Sequence, residues 1–75
     1  MFRKLVKKLR TEKRLGLREF CLAAGYDPSN WSKIERGVLA PPQDEKVLLR
    51  VASALGLAEG SKLCNELIDL AKISA

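Results

Sequence analysis

Residues 27–37 read "DPSNWSKIERG" and bring together Ser29, Ser32, Lys33 and Arg36, two hydroxyls and two cations. Catalysis is not the chemistry this set suggests. The chain has no histidine, no apparent nucleophile–base pair, and no glycine-rich phosphate loop following a strand. Ser32 beside Lys33 comes nearest to a reactive pair, yet both fall on one short, exposed helix-like run that offers no pocket. The set can donate hydrogen bonds to a polyanion. Lysine can donate to guanine O6 and N7, and serine can serve several bases. Lys33 and Arg36 can also neutralise phosphates, which fixes register without reading sequence.

The charge distribution points the same way. The chain carries 14 Lys and Arg against 9 Asp and Glu, a net charge of +5. Residues 1–37 hold ten of the cations and four of the acids, and residues 38–75 hold four and five. A basic half beside a near-neutral half suits one face for a polyanion and another for packing or self-association. The bland alternative for the basic run "MFRKLVKKLR", which includes Lys7, is a solvated face. A basic amphipathic helix can also lie on an anionic membrane, but the ordered helices that follow weigh against that. Charges interrupt every apolar run, so this is not a signal peptide. No stretch approaches the ~20 apolar residues of a membrane span. The expectation is a soluble, cytoplasmic protein with no membrane partner.

The elements that position these residues follow from spacing. A chain of 75 residues is read as one domain, 1–75. It buries only about 60% of its unfolded surface. Nothing alternates with period two, so strands are not expected. Phe2, Leu5, Val6 and Leu9 draw a helical stripe over 2–13. Leu17, Phe20, Cys21 and Ala24 repeat it over 17–24, and Gly25 is a natural left-handed cap. Asp27-Pro28 opens a third helix over 28–36, with aspartate as N-cap and proline at the first helical position. Trp31 and Ile34 share its inner face. "VLAPPQ" is a loop, and Val38 and Leu39 are read as tucked under helix 4 in preference to forming an interface. Asp44 or Gln43 caps helix 4, with Leu48, Val51, Ala52 and Leu55 buried. Helix 5 is expected to start near Ala58 and run to about 73, burying Leu63, Cys64, Leu67, Ile68 and Ala71. Leu70 lies off that stripe and reads equally as a partner contact or a stray exposed leucine. The class is therefore all-α, a compact bundle of five short helices. Cys21 and Cys64 make no C-x-x-C pair and have no histidine to complete a metal site. Two buried, reduced thiols are expected in preference to a disulfide, and no cofactor or metal.

Helices 2 and 3 are joined by Gly25-Tyr26-Asp27, a helix-turn-helix spacing in which the second helix can enter a major groove. Spacing alone also describes an ordinary helical hairpin. The run "LGLREFCLAAGYDPSNWSKIERG", followed by a proline loop and "LLRVASALGL", resembles the lambda-repressor/Cro-like helix-turn-helix family over residues 5–57. The resemblance implies a small buried residue at Cys21, the turn glycine at Gly25, an apolar residue at Tyr26, and at Trp31 the buried residue that pins helix 3 to helix 2. It implies that Glu35 pairs with Arg10 on helix 1 and is not a DNA ligand. It implies that Pro28, Ser29 and Lys33 meet base edges, with Ser32 and Arg36 outward and Asn30 at the rim. Two features depart from the family pattern. Leu17, with Arg18 beside it, stands where a glutamine is usual. The loop after Gly37 is longer and more apolar than usual.

The reading expected from all this is a sequence-specific DNA-binding transcriptional regulator, a repressor, acting as a homodimer on double-stranded DNA. Pro28, Ser29, Asn30, Ser32, Lys33, Arg36, Arg18 and Lys7 are its DNA-binding residues. Helix 5, through Leu63, Leu67 and Leu70, is the expected dimer seam. A second reading is the DNA-binding antitoxin of a toxin–antitoxin pair. Its partner toxin would be held by other segments, and "LIDLAKISA", still helical in pattern where the sequence stops, leads to the expectation of a longer tail that could hold it. A third is a protein–protein interaction module that uses the fold without DNA, against which the basic half argues.

Overall fold

No single helix can hide its own apolar stripe, and here five hide one another's. The computed structural model describes residues 1–73. It shows α1 (Phe2–Glu12), α2 (Leu17–Ala24), α3 (Pro28–Glu35), α4 (Glu45–Ala54) and α5 (Lys62–Ile73), with no strand among the described residues. The last two residues of the terminal helical pattern, 74 and 75, lie outside the described residues.

The main packing contacts close a ring: α1 on α3, α3 on α2, α2 on α4, α4 on α5 and α5 on α1. Inside it lie the residues that the helical spacing marks, among them Phe2, Val6, Phe20, Cys21, Trp31, Ile34, Leu48, Val51, Leu55 and Leu67, all essentially inaccessible. The four aromatic residues meet at one point. Phe20, Tyr26 and Phe2 pack on Trp31 with ring centroids 5.0, 5.2 and 6.1 Å away, the latter two edge-on. Tilted and edge-to-face pairs of this kind add about 0.5–1.5 kcal/mol beyond their buried area.

The helix ends obey one rule. In α1 to α4 the last turn closes by a pair of reversed hydrogen bonds. Examples are Gly37 N–H to Ile34 O and Val38 N–H to Lys33 O in α3, and Gly56 N–H to Ser53 O and Leu57 N–H to Ala52 O in α4. This closure needs a left-handed residue just past the helix. Glycine supplies it at Gly25, Gly37 and Gly56, but α1 uses Arg14, with φ of 57°. A side chain there costs roughly 1–2 kcal/mol, against about 0.5–1 kcal/mol of extra chain entropy for glycine. Arg14→Gly is therefore expected to stabilise the fold by about 0.5 kcal/mol, raising the thermal midpoint by about 2–4 °C. A calorimetric scan showing a lower midpoint contradicts that accounting.

Three expectations are corrected. Helix 5 begins at Lys62 and not near Ala58, because Gly60 turns left-handed (φ 80°) and the Ser61 hydroxyl accepts the Cys64 N–H at 3.2 Å as the N-cap. Val38 and Leu39 are not tucked under α4. They are 65% and 41% exposed, because their N–H groups both turn back onto Lys33 O and leave the side chains facing outward. Leu67 is wholly buried and Leu63 is exposed, so the seam assigned to helix 5 loses its central leucine to the core. Leu70 is partly buried against that core.

Asp44 is the cap of α4, accepting the Lys46 N–H at 2.8 Å. Gln43 instead donates to Ala71 O at 2.8 Å and ties the proline loop to α5. Cys21 and Cys64 are free, buried thiols. Burial pushes the Cys21 thiol above its ordinary value of 9.0, with the Glu35 carboxylate adding to the shift. Cys21 therefore stays protonated near neutral pH and acts as a packing group, not a nucleophile.

Candidate nucleic-acid interface

The outer face of α3 is built by what lies behind it. Asp27 accepts the Asn30 N–H at 2.9 Å, and Pro28 takes the first turn, where its missing N–H costs nothing. Trp31 and Ile34 then point into the core. On a helix this sends Ser29, Ser32, Lys33 and Arg36 to the opposite side, since they too follow i, i+3, i+4, i+7. Ser29, Asn30 and Arg36 are exposed, and Pro28, Ser32 and Lys33 are half-buried. The main contacts of α3 are with α1 and α2.

The clamp behind the stripe is a three-way junction at Glu35. Its carboxylate accepts Arg10 Nε at 3.0 Å and Arg10 Nη2 at 2.9 Å, a two-pronged ion pair across 25 residues. The same carboxylate accepts the Trp31 indole N–H at 2.9 Å. Arg10 Nη1 donates to Leu15 O at 2.9 Å, which ties in the α1–α2 connection. The Arg10 pairing implied by the family resemblance is therefore formed. The indole contact was not foreseen, although Trp31 and Glu35 stand four apart and so share a helix face. Two-pronged arginine–carboxylate pairs fix orientation as well as energy, and this one sets the rotation of α3 against α1.

The other expected donors are placed unevenly. Arg18 and Pro28 line one hollow between α2 and α3, together with Cys21, Leu22, Gly25 and Tyr26. Lys7 is exposed on α1, on a different helix from the stripe. Sequence reasoning passed over Arg50, whose Nε donates to Ala24 O at 3.1 Å and so reaches from α4 to the turn between α2 and α3. Nothing in its spacing signals that contact, because it joins residues 26 apart.

The site is thus a two-helix unit with a capped turn, an apolar clamp and an outward-facing donor stripe. The family model described as "Helix-turn-helix domain" matches residues 2–62. The chain belongs to the helix-turn-helix domain family. No curated protein and no solved structure matches it. As a helix-turn-helix domain it is a DNA-binding fold. The match spans α1 to α4 and stops at Lys62, where α5 begins. No helix among the described residues is long and apolar enough to cross a membrane.

Proposed function

We propose that the protein is a sequence-specific transcriptional regulator of the lambda-repressor/Cro-like group, a repressor that sets α3 in the major groove. The observation that carries this reading is the outward-facing Ser29–Ser32–Lys33–Arg36 stripe, exposed at Ser29 and Arg36, on a helix whose opposite side is locked by Trp31, Ile34 and Glu35. Pro28, Ser29 and Lys33 meet base edges, Ser32 faces outward beside them, Asn30 lies at the rim, and Arg36, Arg18 and Lys7 meet phosphates. The chain acts as a single domain. One such domain offers few base contacts, so two copies bind half-sites about 34 Å apart. With Leu67 in the core, a seam on α5 would rest on the exposed Leu63 and Ile73 and the half-buried Leu70.

Selection of bound duplexes from a random pool tests the reading, and a two-fold consensus reports the dimer. On that consensus, Lys33→Ala is expected to lose about 1–3 kcal/mol of specific binding while random duplex binding changes little. Lys7→Ala is expected to weaken both alike and to lower the salt slope by about 0.9. Equal behaviour of the two variants removes Lys33 from base readout. Binding that does not respond to salt favours the interaction module.

A DNA-binding antitoxin would use the same stripe. The feature favouring that reading is the apolar groove between Met1, Val38, Leu39 and Pro41, which would suit a protein partner. Co-purification with a toxin protein is its test.

A further inference from the structure

The helix ends share a second feature. Over each left-handed glycine that closes α2, α3 and α4 lies a cation from a part of the chain remote in sequence. A Cβ at Gly25 would sit 3.5 Å from Arg50 Nε, and one at Gly37 would sit 3.1 Å from Arg3 Cζ. One at Gly56 would overlap the Lys13 ammonium. A helix C-terminus carries roughly half a negative charge, so a cation there is favourable. Each comes from a remote part of the chain: Arg50 from α4 lies over the end of α2, Arg3 from α1 over that of α3, and Lys13, just past α1, over that of α4.

Arg50 alone of the three makes a hydrogen bond to the terminus it covers. The last carbonyls of a helix have no partner within it. In α2 the Tyr26 N–H satisfies Cys21 O and the Gly25 N–H reaches Leu22 O. Ala24 O, the last of them, is taken by Arg50 Nε at 3.1 Å. The next residues, Gly25 to Asp27, are the turn from which α3 departs. The main contacts of α4 are with α2 and α5, and not with α3. Arg50 therefore gives the turn a fixed point that neither helix of the two-helix unit supplies.

We propose that Arg50 is a positioning residue for the recognition helix. Held on Ala24 O, it fixes the turn, and with it the angle at which Ser29, Lys33 and Arg36 meet the groove. Its charge serves the end of α2 and not a DNA phosphate. The inference rests on the DNA-binding reading above. It separates Arg50 from Lys7 and Arg36, which that reading sets on phosphates.

The test uses the full chain, the consensus duplex selected by the unmodified protein, and a scrambled duplex of equal length. Arg50→Ala, measured where circular dichroism shows it folded, is expected to lose about tenfold in consensus binding, the order of one base contact. Scrambled-duplex binding and the slope of log affinity against log salt should stay as they were. Arg50→Lys, which keeps a donor and a charge, should recover most of the loss. The amides of Gly25 and Tyr26 should exchange faster in Arg50→Ala, while those of α5 do not. If Arg50→Ala does not fold, Arg50→Met keeps the apolar stem and takes its place. An unchanged consensus-to-scrambled ratio in a folded variant overturns the inference alone. So does a salt slope shallower by about 0.9, which would make Arg50 a phosphate ligand. An unmodified protein that selects no duplex overturns this inference and the DNA-binding reading together.

Discussion

Glu35→Ala is expected to cost about 3–5 kcal/mol of folding stability, the usual penalty for stripping one partner from a shielded ion pair. The pair is shielded: the Arg10 and Glu35 side chains are 15% and 9% exposed. The substitution leaves a guanidinium without its carboxylate and the Trp31 N–H without its acceptor. A chain of this length has about 4–11 kcal/mol in all, so the loss takes from about a quarter of that stability to the whole of it. Urea titration measures the loss. Two further variants separate the causes. Glu35→Gln keeps an oxygen for the indole and removes the charge, so it should fall between the parent and Glu35→Ala. Replacing Arg10 and Glu35 together by Met and Leu removes both charges and should cost far less than Glu35→Ala. If Glu35→Ala costs under about 1 kcal/mol, the pair behaves as a surface contact and the clamp assigned to it fails.

Trp31→Ala should cost a similar amount, about 3–5 kcal/mol, for a different reason. The ring is wholly buried, and its removal opens a cavity that Phe2, Phe20 and Tyr26 cannot fill without shifting the helices and the turn that carry them. Because Trp31 and Glu35 share the indole hydrogen bond, the double variant should be less damaging than the sum of the two, with a coupling of about 0.5–3 kcal/mol. Additive losses would mean the bond carries nothing. In both variants DNA binding should fall with the folded fraction and also below it, because the outer stripe of α3 is aimed by what holds its inner face.

The corrections show where sequence reasoning stops. The stripes on α1, α2 and α4 were legible because a 3.6-residue period states which side is apolar whatever lies opposite. The start of α5 was not, because Ala58 suits a helix locally, whereas the backbone turn at Gly60 and the Ser61 cap outweigh that preference. Val38 and Leu39 were misplaced because hydrophobicity says what prefers burial, and the closing hydrogen bonds onto Lys33 O decided otherwise. Leu63 and Leu67 are alike in sequence, yet the rotation of α5 against α1 and α4 exposes one and buries the other.

The sequence by itself determined the helical class, the turn between α2 and α3, the caps at Asp27 and Gly25, and which side of α3 carries donors. These rest on spacing and on backbone preferences that act within a few residues. The tertiary structure alone decided that the Arg10–Glu35 pair implied by the resemblance forms beside the Trp31 indole, and that Arg50 reaches Ala24 O. Those facts depend on distances between residues some 25 positions apart, and no local preference of the chain specifies such a distance until the ring of helices has closed.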